Sequence, residues 1–233
     1  MSRIRIITMV FILLFCLGIQ FPLHTRILSQ RKKEGFIDRM VYKPADIINM
    51  TVLSGFKGIA ADLLWIRIDD YSHAGQMYKI LPLFEMVTYL QPHFILAWSV
   101  GGWHMSFNLY HHAHTKEDKN RWLQAGIAFL KRGIKYNHDN YRLYFDVAWI
   151  YFMKTDEYNK CIEYFALASE QNHPQWVEHM LAHSYEKNGQ LKDALAVWQR
   201  IDQRGSDPGL QTVVDRFITK LSHEIEQNQK NEI

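Results

Sequence analysis

Twelve histidines stand in a chain of 233 residues, and they are the first place to look for chemistry. His179 and His183 are four apart, with Glu186 three further on. On a helix these three share a face at metal-ligand spacing. The carboxylate lacks the placement of an H-E-x-x-H protease. His111, His112 and His114 form a second group, with His104 seven before His111. The candidate metal ligands are therefore His179, His183, His111 and His114. The preferred readings are hydrogen bonding in a groove for the first group and a polar helix end for the second, so no metal or other cofactor is expected.

Other reactive groups are sparse. Cys16 lies in an apolar N-terminal run and Cys161 in a predicted helix, so a disulfide between them is implausible. Cys161 reads as a small core residue rather than a nucleophile. Asp69 and Asp70 are the one adjacent acidic pair near aromatics, and on a helix only one of them faces a given side. There is no G-x-S-x-G, P-loop or G-x-G-x-x-G. The chain is not expected to be an enzyme.

Composition fixes the broad class. Apolar residues make up 48% and aromatics 14%, with few Gly and Pro, which excludes disorder as the main state and suits helices. A net charge of +3, with bases mixed among acids, gives no nucleic-acid footprint.

The N-terminus has its own character. Arg3 and Arg5 precede an uncharged run from Ile6 to Leu23. As a helix at about 1.5 Å per residue it would cover roughly 27 Å, close to a hydrocarbon core. It lies between a long signal peptide and a short membrane helix, and no small-residue pair offers a clean cleavage site. The expectation is an uncleaved signal-anchor over residues 1–25, with a buried core helix as the alternative. Arg26, Arg31, Lys32 and Lys33 after the run would pull that side inward. Ordinary secretory logic puts the short basic N-terminus inside and the domain outside. The second is preferred: a bacterial inner membrane with the following domain on the periplasmic side. Residues 26–58 form a basic linker and pre-repeat segment, whose Arg31-Lys32-Lys33 run is solvated or touches anionic headgroups.

The strongest signal is internal repetition. Tyr71 is followed four later by Gly75 and then by Gln76 and Met77; Tyr185 is followed four later by Gly189 and then by Gln190 and Leu191. Phe84 and Trp198 stand nine beyond the two glycines. Phe152, Asp156, Tyr158 and Phe165 give a third copy, with Asp156 as a turn substitute that tolerates a left-handed backbone. A weaker copy has its turn near Arg121 and Leu130 nine later. Each unit reads as helix, tight turn and antiparallel helix, and stacking the next unit covers the apolar face left open. Leu210, Val213, Val214, Phe217, Leu221 and Ile225 then have helical apolar spacing, as a closing cap requires.

These units resemble the tetratricopeptide repeat (TPR) family. The resemblance rests on Trp98, Gly101, Gly102, Gly126, Leu130 and Gly133; on Val147, Ala148, Tyr151, Cys161, Phe165, Ala168 and Pro174; on Leu181, Ala182, Tyr185, Ala194 and Trp198; and on Leu64, Ile68, Tyr71, Ile80, Phe84 and Pro92. Arg67 and Ile68 replace the usual Leu-Gly pair, Ile80 a small residue, and His138 a proline. The resemblance implies an all-α solenoid of about four repeats over 59–208 (61–94, 95–140 with an insertion near 109–120, 141–174 and 175–208). A capping helix and tail over 209–233 complete it, behind a single N-terminal transmembrane helix. It also implies a concave wall lined by the first helix of each repeat. Matching the registers puts Trp65, Asp69, Ser99, Trp103, Phe145, Trp149, His179 and His183 on that wall, with Glu186 a turn further on.

Such a wall suits a partner peptide or helix with apolar anchors, since aromatics give large contact area at low entropic cost. The alternative is occupation by the chain's own residues 36–58. Met50 to Ala61 is small and apolar, and would dock there or extend the first helix. The functional expectation is a membrane-anchored interaction scaffold like the bacterial signal-anchored TPR proteins. It would bind proteins of a membrane complex through the groove or the second-repeat insertion, and the bilayer through its N-terminus, with no nucleic acid. The alternative is a metal- or cofactor-binding accessory subunit that uses the histidine clusters.

Overall fold

The computed structural model describes residues 44–205 and 208–231, with side chains over 56–205 and 209–230. Every regular element among them is a helix. They are α1 (Pro44–His73), a 3-10 turn (Met77–Ile80), α2 (Leu81–Leu90), α3 (Ile95–Trp103), α4 (Lys116–Tyr136), α5 (Tyr141–Lys154), α6 (Tyr158–Ser169), α7 (Trp176–Lys187), α8 (Leu191–Arg204) and α9 (Pro208–Asn231). Beyond Trp103 the α3 spiral continues as a π-helix (His104–Leu109) and a last α turn (Tyr110–His112). The chain divides into two compact units, one up to Ile66 and one from Arg67.

Local signals explain several boundaries. Gly75 and Gly189 have φ of 68° and 76°, a left-handed conformation that costs glycine little, and they end α1 and α7 as the repeat pattern required. The turn at Asp156 is built differently. No described residue other than glycine has positive φ, so Asp156 does not take the left-handed role. Instead Thr155 is extended, and its hydroxyl accepts a hydrogen bond from the Glu157 N–H at 3.1 Å. Thr115 caps α4 by accepting from the Asp118 N–H at 3.0 Å, and Glu117 and Asp118 complement the helix dipole. The connection before α4 is thus only 113–115. Arg121, where sequence placed a turn, lies inside the helix, and the extra residues lengthen α3 and α4 rather than form a loop.

From α3 onward each helix packs on the next, and α3 also touches α5, the first helix of the following pair. Buried side chains fill the seams: Phe84, Phe129, Leu130, Leu143, Phe165 and Trp198 are all 2% exposed or less. Each contributes on the order of 2–3 kcal/mol by leaving water. The α3–α4 crossing is the tightest. A Cβ on Gly102 would fall 2.5 Å from Leu130, and one on Gly126 2.0 Å from the Ser106 hydroxyl. Pro92 ties the same layer together, its carbonyl accepting from Trp98 Nε1 and from Asn137 Nδ2, each at 2.9 Å.

Met50 to Ala61 extends the first helix, the second of the two readings given for it. Among the described residues no helix is long and apolar enough to cross a membrane. The Ile6–Leu23 run lies outside the described residues.

Two buried histidines give the fold a pH dependence. His104, at the start of the π segment, is 2% exposed. Its Nε2 lies 3.1 Å from the Met77 carbonyl and its Nδ1 3.2 Å from Asn108. Burial holds its pKa below the usual 6.5, an effect that the Met77 carbonyl opposes and nearby His112 reinforces. Burial, then His183, lowers His179 in the same sense. The unfolded chain therefore takes up protons that the fold refuses once pH drops below about 6.5. Stability is full above that value and declines below it. Urea midpoints should be lower at pH 5 than at pH 7.5, and His104→Gln, which keeps a donor toward Met77, should shrink the difference. An unchanged difference would remove His104 from the account.

Candidate interface

The helix pair α3 and α5 builds a cavity of about 230 Å³. This is smaller than the roughly 300–1,000 Å³ of small-molecule pockets and suits one or two inserted side chains. Its walls are aromatic. Trp103 stacks on Phe107 with centroids 6.3 Å apart and planes 18° apart, and Phe145 stacks on Trp149 at 6.0 Å and 14°. Leu96, Val100, Leu130 and Ile150 complete the apolar lining. Trp103 stays 50% exposed, an unusual cost for so large an apolar surface.

The same cavity holds a polar cluster. Ser99 donates to Asp146 Oδ2, and the Arg142 Nε lies 3.1 Å from Asp146 Oδ1 and 3.3 Å from the Ser99 hydroxyl. Burial pushes the Asp146 carboxyl above its ordinary range, and neither Arg142 nor Ser99 pulls it all the way back. The Asp146 side chain is the shielded partner and that of Arg142 is about half exposed, so the cation is the member that can reach a ligand. The cluster is ill suited to nucleophilic chemistry, because the Ser99 proton is already directed at a carboxylate and no histidine lines the cavity. Cys161 is buried against Ser184, and burial pushes its thiol to about 11, far from a reactive thiolate.

Ser99, Trp103, Phe145 and Trp149, chosen from sequence as one wall, thus line one cavity. His179, His183 and Glu186 do not join them. His179 is buried against the Trp198 ring at 5.1 Å. His183 meets Trp198 at 5.2 Å and Phe217 of α9 edge-on at 4.8 Å. Glu186 pairs with Lys220 of α9 and lies 3.4 Å from His183 Nδ1. Burial raises the Glu186 carboxyl, but Lys220 and His183 together outweigh it and leave its pKa lowered. The cap helix therefore occupies the place that sequence left open at the last repeat. Asp69 is exposed and lies 3.4 Å from His73 on α1. Trp65, also on α1, is partly buried.

Sequence reasoning missed Leu96, Val100, Phe107, Arg142, Asp146 and Ile150. Arg142 lies three before Phe145 and Asp146 four after Arg142, so one more helical step along the chosen face would have found both. Among the described residues no group of three or more His, Cys, Asp or Glu is placed to hold a metal ion. His111 and His112 are exposed at the end of α3, their rings 5.8 Å apart, and His114 follows in the loop.

No protein-family profile and no curated protein matches the sequence. Solved structures do align with it. A thermophilic TPR protein of Thermus thermophilus superposes with a TM-score of 0.51 at 18% identity, over 68% of this chain and 81% of that one. The chain has the tetratricopeptide-repeat fold. Within that fold the helices from α3 to α8 pack in chain order, and α9 packs on α8. YrrB, a TPR protein with an unusual peptide-binding site, also aligns, at 14% identity over 68% of this chain and 74% of that one. So does MamA, at 15% identity over 76% and 97%, with a TM-score of 0.47 in both cases.

Proposed function

We propose that this TPR chain is an interaction scaffold whose α3–α5 cavity takes an apolar side chain, preferably aromatic, from a partner protein. The observation that carries this is the half-exposed Trp103, held beside a second stacked aromatic pair around a cavity of side-chain size. Rigid aromatic pairs lose little entropy on binding, and Arg142 at the rim offers a charge-assisted bond to a partner carboxylate or carbonyl. No step of catalysis is assigned to the cavity. The Ile6–Leu23 run would tether the scaffold to the bacterial inner membrane with the repeats on the periplasmic side, so the partners would belong to a membrane complex.

Co-purification of the full chain from mild detergent tests the cavity. Trp103→Ala or Trp149→Ala should weaken the specific partner set by roughly tenfold or more, the scale of a binding hot spot. An unchanged partner set, with either variant still folded, would remove the cavity from the function. Carbonate extraction, and protease added to spheroplasts before and after lysis, test the tether and its orientation. A chain released by carbonate, or cleaved only after the spheroplasts are lysed, would refute the corresponding part.

A further inference from the structure

We propose that the outer stripe of α1 is where one copy of this chain pairs with another, the two helices parallel and in register. Phe56, Ile59, Leu63 and Ile66 are 60, 59, 63 and 58% exposed. A soluble helix ordinarily turns such a stripe inward. On α1 the inward residues are Ala61 and Ile68, both 5% exposed or less, and the four large side chains face solvent.

Their spacing fits a second helix, and the charges beside them favour a copy of this one. Steps of three, four and three are the a and d positions of a heptad, the pattern that another helix fills knobs-into-holes. With Phe56 and Leu63 at a, and Ile59 and Ile66 at d, Asp62 falls at g and Arg67 at e. In a parallel, in-register pair the g residue of one helix meets the e residue five later on the other. Asp62 is five before Arg67, so both seams would carry an opposite-charge pair. An antiparallel pair would set Asp62 against Asp62. One heptad later the a position is Asp70, close to the end of α1 at His73, so the apolar seam closes at Ile66. Leucine at a with isoleucine at d favours three or four strands over two, so the assembly extends beyond a pair where the same seam is shared.

The charge pattern argues against a lipid surface as occupant. Interfacial helices flank the apolar face with Lys and Arg. Here the charged residues flanking the stripe are Asp62 and Arg67, and Asp70 ends it at the next a position. Arg67 lies 3.7 Å from Asp70, with both side chains more than half exposed. Such a surface pair is worth little and can be exchanged for one across an interface.

The test uses the full chain in mild detergent, with light scattering corrected for the detergent. The mass should be about twofold or more above the 27.7 kDa of one chain, and Leu63→Glu should return it to that value without loss of helix, since Leu63 is exposed. Asp62→Arg should weaken the assembly, and adding Arg67→Asp should restore it. In a Cys16→Ser background, Leu63→Cys should form an intermolecular disulfide on mild oxidation and Lys57→Cys should not. A monomeric wild type, or cross-linking as fast through Lys57→Cys, overturns the proposal. So does a monomer that binds phosphatidylglycerol vesicles and loses that binding with Leu63→Glu, which would make the stripe a lipid face. Trp103→Ala should leave the mass unchanged, so this test and that of the cavity can fail separately.

Discussion

Trp198→Ala should lower the stability of the fold by about 3–5 kcal/mol, the scale of large aromatic truncations in a core. Trp198 is fully buried on α8. It stacks on Phe217 of α9 with centroids 4.9 Å apart and planes 5° apart, and it touches His179 and His183 of α7. One ring therefore joins the last repeat to its cap. Its indole N–H has no hydrogen-bond partner among the described residues, so truncation orphans no polar group. The whole cost is lost burial plus the cavity left behind. Trp198→Phe should for this reason cost much less than the alanine variant. In a repeat array stability is nearly a sum of unit and neighbour terms, so the damage should concentrate at the C-terminal end. Amide exchange should rise in α8 and α9 well before α3 and α4. A loss below about 1 kcal/mol, or exchange that rises evenly along the chain, would contradict this picture.

This contact also shows where sequence stops being readable. The repeats were legible because Gly75 and Gly189 need a left-handed backbone and the aromatics nine residues on need a seam; both are local requirements. Matching the registers then put Ser99, Trp103, Phe145 and Trp149 on one wall. The same operation chose His179 and His183, and failed to foresee their fate. The apolar spacing that marked α9 as a cap gives its inward face but not how far that face reaches across α7. Phe217 and Lys220 reach His183 and Glu186 only once helix crossing is fixed in three dimensions.

Two further features lay beyond the pattern. The π-helix from His104 to Leu109 has no residue that demands it, and periodicity arguments assume 3.6 residues per turn throughout. The apolar spacing on α1 was visible as composition, but a buried stripe and an exposed one read alike in sequence. Arg142 and Asp146 differ from both. They were legible and passed over, because attention went to aromatics and not to the ion pair between them.

Gly126→Ala should be the most damaging addition of a single carbon, with a loss of about 2–3 kcal/mol, the upper part of the usual overpacking range. The new Cβ would sit 2.0 Å from the Ser106 hydroxyl and 2.8 Å from the Gly102 carbonyl. Ser106 lies in the π segment and Gly102 on α3, so the two helix backbones would have to separate. The better helix propensity of alanine, about 1 kcal/mol, offsets only part of this. A second variant tells the causes apart. The Ser106 hydroxyl is buried with no hydrogen-bond partner among the described residues, so Ser106→Ala alone should be neutral or mildly stabilising. Combined with Gly126→Ala, it should recover part of the loss but not all, because the Gly102 carbonyl remains in the way. The coupling should exceed about 0.5 kcal/mol in a double-mutant cycle, as expected for residues in direct contact. Strict additivity would mean that the helices yield elsewhere, and that the close crossing at Gly126 does not hold α3 against α4. The separation of those helices also sets the position of Trp103. The double variant should therefore regain partner binding in step with stability, if the cavity is the interface.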